Sequence, residues 1–204
     1  MVEKSKEPES SVRERILEAA ITCIERDGFE ATGIRSIAKE AGVNSAAINY
    51  YFRSKDNLLA LAFESTLEQA FSQVLADMDA RLGQGLRPKA ALHQVLEVYF
   101  ENATRYPRIA YAHFREALVN QNYDIPAVRK LNEFLDELSR RIAPDVPHLE
   151  EPRRRIALSQ VWSAVYMFAL LPDLYARFSP ADFSQSEERR RFVAQLLAGL
   201  FGGA

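Results

Sequence analysis

Residues 44–55 read NSAAINYYFRSK, and their side chains suit recognition rather than bond making. Asn49 can donate to and accept from one base edge at once, the bidentate pattern that adenine offers in the major groove. Ser45 can donate or accept there, and Ala46 can touch a thymine methyl. Tyr50 and Tyr51 bring rings that pack and hydroxyls that reach phosphate oxygens. Lys55 adds a cation beside them, and Arg35, further upstream, offers a guanidinium for a phosphate or a guanine edge.

Holding these groups on one surface requires two short helices joined by a tight turn. The spacing predicts a helix over about 34–41, with Ile34, Ile37, Ala38 and Ala41 inward. Gly42 breaks it, and Asn44 is a good N-cap for a helix over about 45–51. With Ile48 facing the interior, the helical period turns Ser45, Ala46 and Asn49 outward and leaves Ala47 at the edge of that face. The pattern is that of a helix-turn-helix, whose second helix enters the major groove. Before it, residues 11–27 form a helix with Ile16, Leu17, Ala20, Ile21 and Ile24 on one stripe. Ser10 or Ser11 is available to cap its start, Gly28 ends it, and Phe29 can fold back on the stripe. After it, Ser54 is placed to cap a long fourth helix from Lys55.

The whole chain carries 26 Lys and Arg against 28 Asp and Glu, so its net charge of -2 gives no sign of a nucleic-acid partner. The local distribution does: residues 33–55 hold Arg35, Lys39, Arg53 and Lys55 against Glu40 alone. Cys23 is the single cysteine, which excludes an intrachain disulfide and a thiolate metal site. It lies near an apolar helix face and reads as a small buried hydrophobe. A cytoplasmic location is expected. The N-terminal MVEKSKEPES has no apolar h-region, so no secretory signal is expected. VWSAVYMFALL at 161–171 is too short to span a bilayer, and no membrane partner is expected.

The break GQGLRP at 83–88 is followed by helical patterns over about 88–105, 107–120, 126–142, 150–170 and 186–201, separated by Pro107, Pro126, PDVP and SPADFSQS. No β-alternation, internal repeat or low-complexity segment interrupts them. The expected fold is all-α: a tail without structure over 1–10, a helix-turn-helix domain over 11–55, and a larger helical bundle over 56–204.

RERILEAAITCIERDGFEATGIRSIAKEAGVNSAAINYYFRSKDNLL, residues 13–59, resembles the TetR-family transcriptional regulators. The resemblance covers about a quarter of the chain; beyond it the match is in length and all-α architecture. It implies a homodimeric DNA-binding regulator with a ligand pocket in the helical body. By position, the family's base-contacting face falls on Arg35, Ser45, Ala46, Ala47 and Asn49, and its phosphate contacts on Thr32, Tyr50, Tyr51 and Lys55. Asn44, at the start of the reading helix, is counted in the same set. The sequence departs from the family at Gly33, where many members have Ser or Thr and where Thr32 is the available substitute. It departs again at Asn49, where a larger residue is common.

In the body, Phe192, Val193, Leu196, Leu197, Leu200 and Phe201 form one stripe, and Val161, Trp162, Val165, Tyr166, Phe168 and Leu170 cover the preceding helix nearly all round. Such helices need neighbours on every side. One chain could supply them; the resemblance favours a two-fold, four-helix interface through the last two helices. A pocket for a small apolar effector needs aromatic walls, and Phe114, Trp162 and Tyr166 are the candidates. His93, His113 and His148 are too scattered to ligate a metal, and no cofactor is implied. Arg153, Arg154 and Arg155 read as a solvated helix start.

Three functions remain. The first is a ligand-responsive repressor of a near-palindromic operator, released by an apolar or aromatic effector. The second is an activator or architectural protein without an effector. The third, an enzyme or lipid carrier, lacks any nucleophile–base–orienter set, Gly-rich phosphate loop or metal cluster.

Overall fold

The computed structural model describes residues 9–175, 177–179 and 181–202. Among them the chain forms the helices α1 (Glu9–Asp27), α2 (Ile34–Glu40), α3 (Ser45–Phe52), α4 (Lys55–Gly83), α5 (Pro88–Arg105), α6 (Pro107–Asn120), α7 (Pro126–Ile142), α8 (Glu151–Leu170) and α9 (Ser186–Phe201), and no strand. The fold is all-α. The first eight residues of the tail expected over 1–10 lie outside the described residues. Its last two, Glu9 and Ser10, open α1, so the serines expected to cap that helix sit inside it.

Two compact units divide the chain, Met1–Thr66 and Leu67–Ala204. The division falls inside α4 rather than at residue 55, because Leu58, Leu59 and Ala62 are buried in the first unit. The interior of that unit is filled by Ile16, Ala20, Cys23 and Ile24 of α1, Ile37 and Ala38 of α2, and Ile48 and Phe52 of α3. Burial pushes the Cys23 thiol up, so it stays protonated at neutral pH. Ile21, assigned by period to the same stripe, is only half-buried. Gly28 ends α1 at φ 87°. Phe29 then stacks on Phe63 of α4, with ring centroids 5.9 Å apart.

In the second unit, prolines open α5, α6 and α7 at the first turn, where a missing N–H costs no hydrogen bond. Its core runs through Phe71 and Met78 of α4, Leu96 and Phe100 of α5, Phe134 and Leu138 of α7, Trp162 and Val165 of α8, and Val193 and Leu197 of α9. Most of the apolar surface of the last two helices, which one chain or a partner could have covered, is therefore buried within the chain. Val161, Trp162, Val165, Leu170, Val193, Leu197 and Leu200 are all buried in their own unit. The outward face of α8 carries other residues, Ile156 (62% exposed) and Met167 among them. On α9 the small or polar Ala194, Gln195 and Gly199 are exposed.

The arginine run is only partly solvated. Arg154 Nε donates to Ser139 Oγ at 3.1 Å, and Arg155 pairs with Asp136 at 3.2 Å and Glu151 at 2.9 Å. These contacts tie the start of α8 to α7.

Candidate nucleic-acid interface

The turn between α2 and α3 follows from Gly42. At φ 66° it lets the Gly42 N–H donate to the Lys39 carbonyl and the Val43 N–H to the Ala38 carbonyl, a Schellman ending of α2. Asn44 then caps α3, its Oδ1 accepting the Ala47 N–H at 2.8 Å. Ile48 and Phe52 point into the unit, which fixes the rotation of α3. Ala46 and Asn49 are exposed on the opposite side, with Ser45 and Ala47 half-buried at its margin. The start of the outward face thus carries short side chains, and Tyr50 follows one turn on. Asn44 shares that margin, but its side-chain oxygen is engaged in the cap, leaving its amide as the free donor.

At the end of α3, Tyr50 is 72% exposed and Tyr51 half-buried, their rings edge to face with centroids 5.1 Å apart. Ser54 caps α4, its Oγ accepting the Asn57 N–H at 3.1 Å. Lys55 stands in the first turn of α4, its Nζ 6.0 Å from the centroid of the Phe29 ring. Arg35 is exposed in the first turn of α2.

Thr32 does not fit its expected role. It is 1% exposed, and its hydroxyl donates to the Gly28 carbonyl at 2.7 Å. That bond closes the α1–α2 turn and turns the group away from any phosphate. Nor does Thr32 replace the hydroxyl that Gly33 lacks. Gly33 offers no side-chain cap, and Ser36 supplies the other half of a capping box: its Oγ accepts the Gly33 N–H at 3.1 Å and donates to the Gly33 carbonyl at 2.7 Å. A serine three residues into a helix is a readable reciprocal-cap signal that the sequence analysis passed over.

The charges of residues 33–55 are one-sided. Arg26 holds Glu40, the only acid of residues 33–55, at 2.7 Å and also holds Asp27 at 2.9 Å. Arg35, Lys39, Arg53 and Lys55 have no carboxylate partner among the described residues. In the second unit most arginines with a described environment are tied to carboxylates, as Arg141 is to Asp79 at 2.7 Å and Arg87 to Asp145 at 2.9 Å. Unneutralised cations around an exposed short-side-chain helix are what a phosphate-lined groove demands.

The candidate pocket residues Phe114, Trp162 and Tyr166 lie in the second unit. Trp162 is 4% exposed, with its ring centroid 4.4 Å from that of Tyr99 and 4.7 Å from that of Phe134. Phe114 and Tyr166 meet edge to face at 5.4 Å, and the Tyr166 hydroxyl donates to the Ala110 carbonyl. Surface depressions of about 730, 660 and 410 Å³ are lined by other residues. Burial holds His113 neutral, its pKa lowered to about 4. No group of three or more His, Cys, Asp or Glu among the described residues could hold a metal. No helix there is long and apolar enough to cross a membrane.

Residues 16–62 match the family described as bacterial regulatory proteins, tetR family. The transcriptional regulator PksA of Bacillus subtilis is 30% identical over 135 residues, which cover 61% of this chain and 64% of that protein. The chain therefore spans just under two thirds of that relative's length. The transcriptional repressor KstR of Rhodococcus jostii is 26% identical over 92% of this chain and 82% of its own. Among solved structures, FadR of Thermus thermophilus, a TetR-family transcriptional repressor in complex with lauroyl-CoA, superposes with a TM-score of 0.61. That alignment is 22% identical and covers 92% of this chain and 94% of the other, a likeness of fold.

Proposed function

The chain belongs to the TetR family of transcriptional regulators, and from that premise we propose that it is a repressor that binds a near-palindromic operator as a homodimer and is released by a small apolar or aromatic effector. The observation that carries this reading is the exposed face of α3, with Ala46 and Asn49 outward over a buried Ile48, flanked by Arg35, Arg53 and Lys55, which have no carboxylate partner among the described residues. In this reading Ser45, Ala46, Ala47, Asn49 and Arg35 meet base edges, while Tyr50, Tyr51, Lys55 and the Asn44 amide meet phosphates. Two-fold pairing would use the outward faces of α8 and α9, where Ile156 and Met167 of α8 and the small Ala194 and Gly199 of α9 are exposed. It would set two reading helices about 34 Å apart, one turn of duplex. The effector would bind in the second unit, around the rings of Phe114, Trp162 and Tyr166. An acyl thioester of the kind bound by the Thermus FadR is the first to try.

The test is duplex binding by fluorescence anisotropy across a salt series, on a site selected from random DNA. Affinity should fall steeply with ionic strength. Asn49→Ala should cost roughly 1–3 kcal/mol on the selected site and little on random duplex. Lys55→Ala should weaken binding to all sequences alike and lower the salt slope by about one unit per protomer. A Lys55→Ala protein with altered sequence preference would show these roles to be misassigned. Indifference to duplexes at low salt would end the reading.

A further inference from the structure

Resting on the DNA-binding reading above, we infer that Arg53 is an additional phosphate-gripping residue, held out by a strained turn at the end of the reading helix. The turn is tight. The Arg53 N–H donates to the Asn49 carbonyl at 2.9 Å, ending α3, and the Ser54 N–H donates back to the Phe52 carbonyl at 2.7 Å. A bond from one residue to the second before it, with Arg53 at φ 64° and ψ -37° between them, is a γ-turn of the positive-φ kind. That form is rare and strained for any residue with a Cβ.

Among the described residues, positive φ otherwise falls on Gly28, Gly42, Gly85, Gly202 and Gln121. Gln121 closes α6 in the ordinary left-handed well, at φ 53° and ψ 27°. Arg53 lies outside that well. Glycine would adopt the turn freely, yet the position carries a long cationic side chain.

Arg53 is exposed and has no carboxylate partner among the described residues. A cation does suit the C-terminal dipole of α3. A lysine or arginine inside the last turn would serve the dipole equally, without left-handed backbone. The placement instead puts a guanidinium directly after the Tyr50–Tyr51 pair and two residues before Lys55. Those are the groups assigned to phosphate at this end of α3. A planar fork of donors matches phosphate oxygens.

The experiment compares wild type, Arg53→Gly, Arg53→Asn and Arg53→Lys in thermal melts and in anisotropy with a random-sequence duplex from 50 to 200 mM salt. Glycine relieves the turn, so Arg53→Gly should melt no lower than wild type, and Arg53→Asn, which gains no relief outside the left-handed well, should melt close to it. Both should nonetheless bind every duplex several-fold more weakly, with a log–log salt slope smaller by about one unit per protomer. Arg53→Lys should keep the wild-type slope. Folded Gly and Asn variants with wild-type affinity and slope would overturn the assignment while leaving the DNA-binding reading intact. A slope lost in the lysine variant as well would mean that a cation at this position does not by itself supply the contact, and would also overturn it. A wild-type protein that ignores duplexes at 50 mM salt removes the DNA-binding reading and this inference together.

Discussion

The side-chain amide of Asn57 donates to the main-chain carbonyl of Phe52 at 2.9 Å, so the last turn of α3 is fastened to the first turn of α4. The same carbonyl accepts the Ser54 N–H, and the Phe52 ring beneath it is fully buried with Arg13 Cζ 5.5 Å above its centre. Asn57 thus fixes where the reading helix stops. Asn57→Ala should remove one such bond and destabilise the first unit by about 1 kcal/mol in urea unfolding. It should also weaken duplex binding although the side chain touches no nucleic acid in the proposed roles. Unchanged unfolding in the variant would mean that the turn holds without this bond.

Thr32 gives a sharper contrast between structure and family position. Its hydroxyl is enclosed and bonded to the Gly28 carbonyl. Thr32→Val keeps the shape but strips the donor, and should cost about 1 kcal/mol of stability. The salt slope of duplex binding should not move, because no phosphate contact is lost. A slope smaller by one unit per protomer would show that Thr32 turns outward when DNA binds.

Asp145 sets a pH dependence in the second unit. Its Oδ1 accepts from Arg87 at 2.9 Å and its Oδ2 accepts the Lys89 N–H at 3.2 Å, which caps α5 from a distant turn. The Arg87 guanidinium, helped by that N–H, holds the carboxyl below the ordinary value of 3.8. A pKa depressed by folding stabilises the native state above the unfolded pKa, and the gain is lost as pH falls through the folded one. Asp145→Asn should therefore cost about 1 kcal/mol at pH 7, the usual worth of a helix cap. Wild type and variant should converge as the pH drops below 3.8. Equal stabilities at neutral pH would show that the carboxylate contributes nothing.

Helix boundaries were legible because punctuation residues mark them. Pro107 and Pro126 open α6 and α7, Gly28 and Gly42 close α1 and α2, and Asn44 and Ser54 cap α3 and α4. The outward set on α3 was legible too, since one buried anchor, Ile48, fixes the phase of a short helix. Partnerships were not. Period says that Val165 and Leu197 are covered, but not whether their own chain or a second copy covers them. The inward bond of Thr32 was not legible because the direction of a hydroxyl depends on turn geometry, which residue type does not encode. The left-handed backbone at Arg53 escaped for a similar reason: nothing in an arginine announces positive φ.

Trp162 offers a direct reading of the second unit, because it is the only tryptophan in the chain. Its ring packs against Phe134 and Tyr99 and meets Phe71 at 5.9 Å, edge to face. Phe71 in turn stacks on Phe134 at 4.4 Å. An apolar effector entering this ring cluster must part at least one of those contacts, and packed interiors transmit such displacements rather than absorb them. Phe71 lies on α4, the helix whose first turn Ser54 caps behind the reading helix. Titration with an effector such as lauroyl-CoA should change Trp162 emission saturably and release duplex DNA over the same concentration range. Linkage then requires bound duplex to weaken effector binding by the factor by which effector weakens duplex. Saturable fluorescence with undiminished DNA affinity would show a ligand that binds without coupling. Release of DNA with silent Trp162 emission would place the effector away from these rings.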